Sequence, residues 1–233
     1  DGSTTGRNSP IAVPGLTGVI AVAAGYRHTV ALKGDGSIVA WGSNVYGQLG
    51  DGTTVQKLVP TAVPGLTGVT AVTTGTFHTV AVKGDGTVVA WGNNFYGQVG
   101  DGSTSNRVVP TPVTGLSGVT TVAAGAYHSV ARKNDGTAVA WGGNANGQLG
   151  DGSTTQRPYP AAVAGMTGMA AISAGTYHTV ARKSDGTAVA WGGNANGQLG
   201  DGTTTQRLYP TALTGLTGVA AVAPWIRLSG KEA

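Results

Sequence analysis

The chain repeats itself every fifty residues without an insertion. Ala40-Trp41-Gly42 returns as Ala90-Trp91-Gly92, Ala140-Trp141-Gly142 and Ala190-Trp191-Gly192, and each copy runs on through Asn44, Gly47-Gln48 and Gly50-Asp51-Gly52 or their equivalents. A supersecondary unit of this size cannot bury its own apolar face and must stack against copies of itself. A residue present in every copy therefore builds the unit before it does anything else. Function is to be sought at the positions that differ between copies.

Within a unit the hydrophobic period is two, the signature of strands. His28-Thr29-Val30-Ala31-Leu32-Lys33 alternates, Gly34-Asp35-Gly36 supplies a hairpin turn, and Ser37-Ile38-Val39-Ala40-Trp41-Gly42 returns as the paired strand. Val19-Ile20-Ala21-Val22-Ala23 reads as a further strand upstream, and Pro60-Thr61-Ala62-Val63 as an outermost strand downstream. Nothing longer than a turn reads as helix. Three or four antiparallel strands repeated at this spacing predict an all-β fold, an antiparallel β-propeller of four 50-residue blades plus a partial fifth repeat. The units run 1–50, 51–100, 101–150, 151–200 and 201–223, and residues 224–233 have no counterpart in the repeat.

The order Ala-Gly-x-x-His-[Thr/Ser]-Val, Asp-Gly, Val-Ala-Trp-Gly-x-Asn-x-x-Gly-Gln-[Leu/Val]-Gly-Asp-Gly runs from Ala24 to Gly52 and again at 74–102, 124–152 and 174–202. It resembles the regulator of chromosome condensation family of propeller repeats. The resemblance implies blades that usually close a seven-membered ring, and activities as different as guanine-nucleotide exchange on a small GTPase, chromatin binding, ultraviolet sensing and β-lactamase inhibition. Architecture therefore transfers better than function. Only four complete hairpin-plus-Trp cores are present here. Three outcomes follow: a piece of a larger ring, two chains completing one ring as a homodimer, or four blades closed by pairing of residues 215–223 with the N-terminal segment.

Composition narrows the partners. Charged residues are only 10% of the chain, against about 25% in an ordinary soluble domain. The net charge of +4 is spread over one or two cations per unit, without the clustered Lys and Arg that nucleic-acid binding uses. No apolar run is long enough for a membrane helix. There is no cysteine, so disulfides and thiolate metal sites are excluded. Low charge and abundant Thr, Gly and Asn fit a secreted or surface-exposed bacterial protein.

His28, His78, His128 and His178 occupy equivalent positions, with no carboxylate or Cys repeating beside them. They are expected to tie a strand to a neighbouring loop by hydrogen bonding, without a metal. Asp51, Asp101, Asp151 and Asp201, and the hairpin-tip Asp35, Asp85, Asp135 and Asp185, lack the further acids of a calcium loop and read as turn residues. Trp41, Trp91, Trp141 and Trp191 are expected between blades. No nucleophile stands beside a unique base, so no catalytic residue and no cofactor are expected.

The variable positions are aromatic in the first two units. Val45-Tyr46 and Phe95-Tyr96 become Ala145-Asn146 and Ala195-Asn196 in the last two, which are nearly identical over 131–157 and 181–207. Tyr26, Tyr46, Phe77, Phe95 and Tyr96 are therefore the expected protein contacts, since exposed aromatics anchor protein interfaces. The expected function is a non-enzymatic protein-interaction scaffold. Two alternatives are exchange activity on a small GTPase, implied by the resemblance, and multivalent carbohydrate binding at the repeated Asn44, Asn94, Asn144 and Asn194 beside a Trp.

Overall fold

A computed structural model describes residues 1–222. Four antiparallel four-stranded sheets follow one another along the chain, with strands in sequence order within each. The first contains β1 (Val19–Ala24), β2 (His28–Lys33), β3 (Ile38–Gly42) and β4 (Lys57–Ala62). The second contains β5 (Val69–Thr74), β6 (His78–Lys83), β7 (Val88–Gly92) and β8 (Arg107–Pro112). The third contains β9 (Val119–Ala124), β10 (His128–Lys133), β11 (Ala138–Gly142) and β12 (Arg157–Ala162). The fourth contains β13 (Met169–Ala174), β14 (His178–Lys183), β15 (Ala188–Gly192) and β16 (Arg207–Ala212). Among the described residues no helix is long and apolar enough to cross a membrane.

Each sheet straddles two sequence repeats. The connector after Gly50-Asp51-Gly52 carries the chain across to β4, so the outer strand of one sheet is read from the next repeat. By the same rule the partial fifth repeat supplies β16, the outer strand of the fourth sheet. The β2–β3 hairpin pairs Thr29 with Trp41 and Val30 with Ala40. Its turn lies at Gly34-Asp35-Gly36, as expected. Only Gly36 takes positive φ (76°), while the Asp35 carboxylate accepts the Ser37 N–H and hydroxyl at 2.9 and 2.6 Å. The carboxylate thus satisfies the turn from outside, the behaviour of a short polar side chain that bonds its own backbone two residues on.

The first strands stack in succession, β1 on β5, β5 on β9 and β9 on β13. The sheets form an open arc, a partial propeller. Closure of four blades by residues 215–223 is not formed. Residues 215–222 belong to no strand, residue 223 lies outside the described residues, and Gly2 N–H donates to Leu58 O on the outer strand of the first sheet at 3.2 Å. That is the position Gly52 takes on Val108 of the second sheet.

The core lies between sheets. Val30, Leu32, Ile38, Ala40 and Leu49 of the first meet Val69, Ala81 and Trp91 of the second, and equivalent sets fill the next two junctions. Trp91, Trp141 and Trp191 are fully buried there, whereas Trp41, with no sheet before it, is half-buried. Burying a side chain that large supplies much of the energy of each junction. The indole fits because residue 50 of each unit is glycine: a Cβ on Gly50, Gly100 or Gly150 would strike the ring of the Trp in the next sheet.

Polar groups key the junction. Gln48 O accepts both the Trp91 indole N–H and the Thr79 hydroxyl, each at 3.0 Å. Having donated its proton, the Thr79 oxygen accepts from His28 Nε2 at 3.2 Å. The next junction repeats this with Gln98, Trp141, Ser129 and His78, and the third with Gln148, Trp191, Thr179 and His128. The histidines therefore join strand to strand across the sheets and reach the neighbouring loop only through the hydroxyl. The proton sits on Nε2, leaving Nδ1 of His28, His78 and His128 buried without a partner among the described residues.

Burial holds the His28 imidazole down at about 4 and those of His78 and His128 at about 3, with neighbouring imidazoles adding to the effect at the latter two. An unfolded histidine titrates near 6.5, so below that pH the unfolded chain takes up protons that the folded one refuses. Stability is complete above pH 6.5 and falls as pH drops toward 4. Each of the three histidines contributes a slope approaching about 1.4 kcal/mol per pH unit. Urea unfolding at pH 7.5, 6 and 5 should show the loss, and His78→Gln should flatten the profile by roughly a third.

Candidate functional site

The loops after β3, β7, β11 and β15 share one end of the sheets with the turns that precede each His, because Gly42 pairs with His28 and Gly92 with His78. The hairpin tips lie at the other end. Repeated residues fix these loops. Asn44 is fully buried; its Nδ2 donates to Asp51 Oδ1, Thr53 O and Val55 O at 3.0–3.2 Å, and its Oδ1 accepts the Leu49 N–H at 2.9 Å. Gln48 Oε1 accepts the Tyr46 N–H at 2.9 Å. With both amides consumed, Val45 and Tyr46 are pushed outward, while Gly47 stays buried.

Asp51 closes the same loop with an ion pair to Lys57 at 3.2 Å, and Asp151 with Arg157 at 2.9 Å. Burial raises the Asp101 carboxyl, but hydrogen bonds from Ser103 and Arg107 more than offset it and hold the group below the usual carboxylate range. These aspartates are turn anchors, and among the described residues no three His, Cys, Asp or Glu side chains converge on one point. The carbohydrate alternative loses its supporting residues. Asn94, Asn144 and Asn194 make the same bonds as Asn44, and they and the three inner tryptophans are buried. No sugar can reach them.

The expected contact residues do come together. Phe77 packs on Tyr26 at 5.7 Å and on Tyr46 at 5.2 Å, and Tyr46 packs edge-on to Phe95 at 6.0 Å. The Arg27 guanidinium lies 5.0 Å above the Tyr26 ring. Phe95 and Tyr96 are the most open, at 60% and 45% exposure. Tyr96 turns the other way from Phe95 and meets Tyr127 at 5.2 Å, and Tyr127 stacks on Tyr177 at 5.7 Å.

Tyr127 and Tyr177 extend the band into the third and fourth units, although their neighbouring loops carry Ala-Asn. The signal was in the sequence at the residue before each His, where Phe77, Tyr127 and Tyr177 are all aromatic. Only the fold shows that this position and the residue before Gly47, Gly97 or Gly147 reach the same rim. Tyr96, Tyr127, Asn146, Gln156 and Tyr177 line a shallow groove of about 260 Å³ there.

Loop anchor and loop tip should separate cleanly on mutation. Asn94→Ala orphans the buried Val99 N–H and removes the bonds to Asp101, Ser103 O and Ser105 O, and is expected to cost about 2–4 kcal/mol. Phe95→Ala combined with Tyr96→Ala, at exposed positions, should change stability by no more than about 1 kcal/mol. Urea denaturation of the two variants checks both.

Comparison with known proteins places this geometry. The model of the RCC1-like domain matches residues 1–228. Among solved structures, Prp20p from Saccharomyces cerevisiae, described with its binding properties to Gsp1p and histones, superposes with a TM-score of 0.77 at 25% identity over 87% of this chain and 52% of its own. Yeast RCC1 (Prp20) bound to Kap60 gives 0.75 at 24% identity, covering 84% and 49%. Human WBSCR16 gives 0.79 at 26% identity, covering 88% and 55%. The chain thus spans about half the length of these relatives. Since the family model matches nearly the whole length, the chain belongs to the RCC1-like domain family.

Proposed function

We propose that this protein is a non-enzymatic interaction module that grips a protein partner through the aromatic rim. The observation that carries the reading is the division of labour between repeated and variable residues. The repeated His, Trp, Asn and Gln are spent inside the fold, while the aromatics of Tyr26, Phe77, Tyr46, Phe95 and Tyr96 form a packed, partly exposed band on one end. Large rigid rings offer contact area at low entropic cost, and such residues dominate the binding energy of protein interfaces. The family is one of protein interaction and GTPase regulation, which supports a protein as the partner.

Capture with the full chain as bait tests the reading. A partner held by the rim should be retained by Asp85→Ala, at the opposite end, and weakened at least about thirtyfold by Phe95→Ala with Tyr96→Ala. A partner indifferent to the rim and lost with the hairpin-tip variant would overturn it.

A second reading rests on the likeness to Prp20p, which is described with its binding to Gsp1p. It makes the chain an exchange factor for a small GTPase. Release of a fluorescent guanine nucleotide from a Gsp1p-type GTPase separates the two: the scaffold leaves the release rate unchanged, and an exchange factor accelerates it.

A further inference from the structure

The loop after β11 departs from its counterparts at its first position. Ser43 stands there in the first unit and Asn93 in the second, but Gly143 in the third. Those side chains serve the glutamine farther along the loop. Gln98 Nε2 donates to Asn93 Oδ1 at 2.6 Å, and Gln48 Nε2 to Ser43 Oγ at 3.5 Å. Gly143 offers no such oxygen, and Gln148 Nε2 has no acceptor among the described residues. Gln148 is 2% exposed and lines the groove between Tyr96, Tyr127 and Tyr177. Unlike Nδ1 of the buried histidines, its Nε2 is not sealed from the surface. Its Oε1 is taken by the Asn146 N–H at 2.9 Å, and Asn144 Oδ1 by the Leu149 N–H at 3.0 Å. The floor of the groove thus presents a donor and keeps its amide oxygens occupied.

The missing side chain also makes the room. A Cβ at Gly143 would come within 3.2 Å of Tyr127 and 3.5 Å of Tyr96. The fourth unit has a glycine too, at Gly193, but Asn146 stands there where Tyr96 stands for the third. Among the described residues only the third unit sets an uncommitted amide between tyrosines of both neighbouring units. No residue lining the groove is ionised at neutral pH. Its volume of about 260 Å³ falls below the range of about 300–1,000 Å³ for sites that swallow a small molecule whole. It suits a short stretch of something longer.

We propose that this groove takes a proline-rich segment of the protein partner, in the extended left-handed polyproline conformation. The inference rests on the reading of the rim as a protein contact surface and names the chemistry it grips. Consecutive prolines bring carbonyls without N–H groups, which matches a floor with a donor to give and no free oxygen. Their rings pack on tyrosine faces, their conformation is formed in advance, and they need no charge. A sugar would set its hydroxyl protons against oxygens that are already taken.

Fluorescence anisotropy of labelled decaproline, titrated with the full chain, tests this against a Gly-Ser peptide of equal length. Decaproline should saturate and the Gly-Ser peptide should not. Gly143→Asn, which restores the pairing of the second unit, should weaken binding at least about tenfold without lowering the urea midpoint. Tyr177→Ala, at a position 41% exposed, should weaken it to a similar extent. Asp85→Ala, at the opposite end, should leave it unchanged. No saturation by about 1 mM overturns the proposal, as does binding indifferent to both Gly143→Asn and Tyr177→Ala. Saturation by a neutral oligosaccharide in the peptide's place overturns it too. Phe95 lies outside the groove, so the effect of Phe95→Ala on a captured partner reports on the rim alone.

Discussion

One backbone carbonyl per junction organises this protein. Gln48 O takes the indole N–H of Trp91 and the hydroxyl of Thr79, and the hydroxyl in turn fixes the tautomer of His28. A buried carbonyl has two lone pairs to satisfy, and here both are filled from the neighbouring sheet. Apolar packing between sheets supplies the bulk of the energy but has no direction, and flat faces of Val and Ala could slide. The carbonyl fixes how far and at what height one sheet sits on the next. Everything that the rim presents inherits its spacing from that choice.

The loops carry the same logic outward. Asn44 and Gln48 spend their amides on the backbone of their own segment and Gly47 makes the turn, so the side chains of Val45 and Tyr46 have no part in holding the loop. Substitution there is free to follow a partner, and the first two units carry rings where the last two carry Ala-Asn. The anchoring and the variation are consequences of one arrangement: the more completely the amides are committed, the less the tip matters for folding.

Much of this was legible in the sequence. The strand period, the hairpin at Gly34-Asp35-Gly36 and the fifty-residue repeat lead to a propeller without further information. The inner place of the tryptophans also follows from their regular spacing among small residues. The role of Gln48 did not, because its decisive atom is a main-chain oxygen, and no side-chain pattern records that. The rim was half legible for a similar reason. Phe95 and Tyr96 declare themselves as departures from Ala-Asn, whereas Tyr127 and Tyr177 sit in a different loop, and only the β-pairing of His128 with Gly142 brings the two loops to one end. Of the three outcomes that the repeat count permitted, two leave this chain an open arc and one closes it on itself. Three-dimensional placement of Gly2 on the outer strand of the first sheet excludes the self-closed one.

The interleaving of sheets with repeats bears on how such a chain can change over generations. Each junction draws its histidine and its carbonyl from one unit and its hydroxyl and indole from the next, and each outer strand is borrowed from the unit after. Unequal recombination in register therefore inserts or deletes one whole blade together with one whole junction. The near-identity of the third and fourth units over 131–157 and 181–207 is the trace such an event leaves. Blade number in this lineage is then a quantity that a single genetic step can alter while every surviving contact keeps its form.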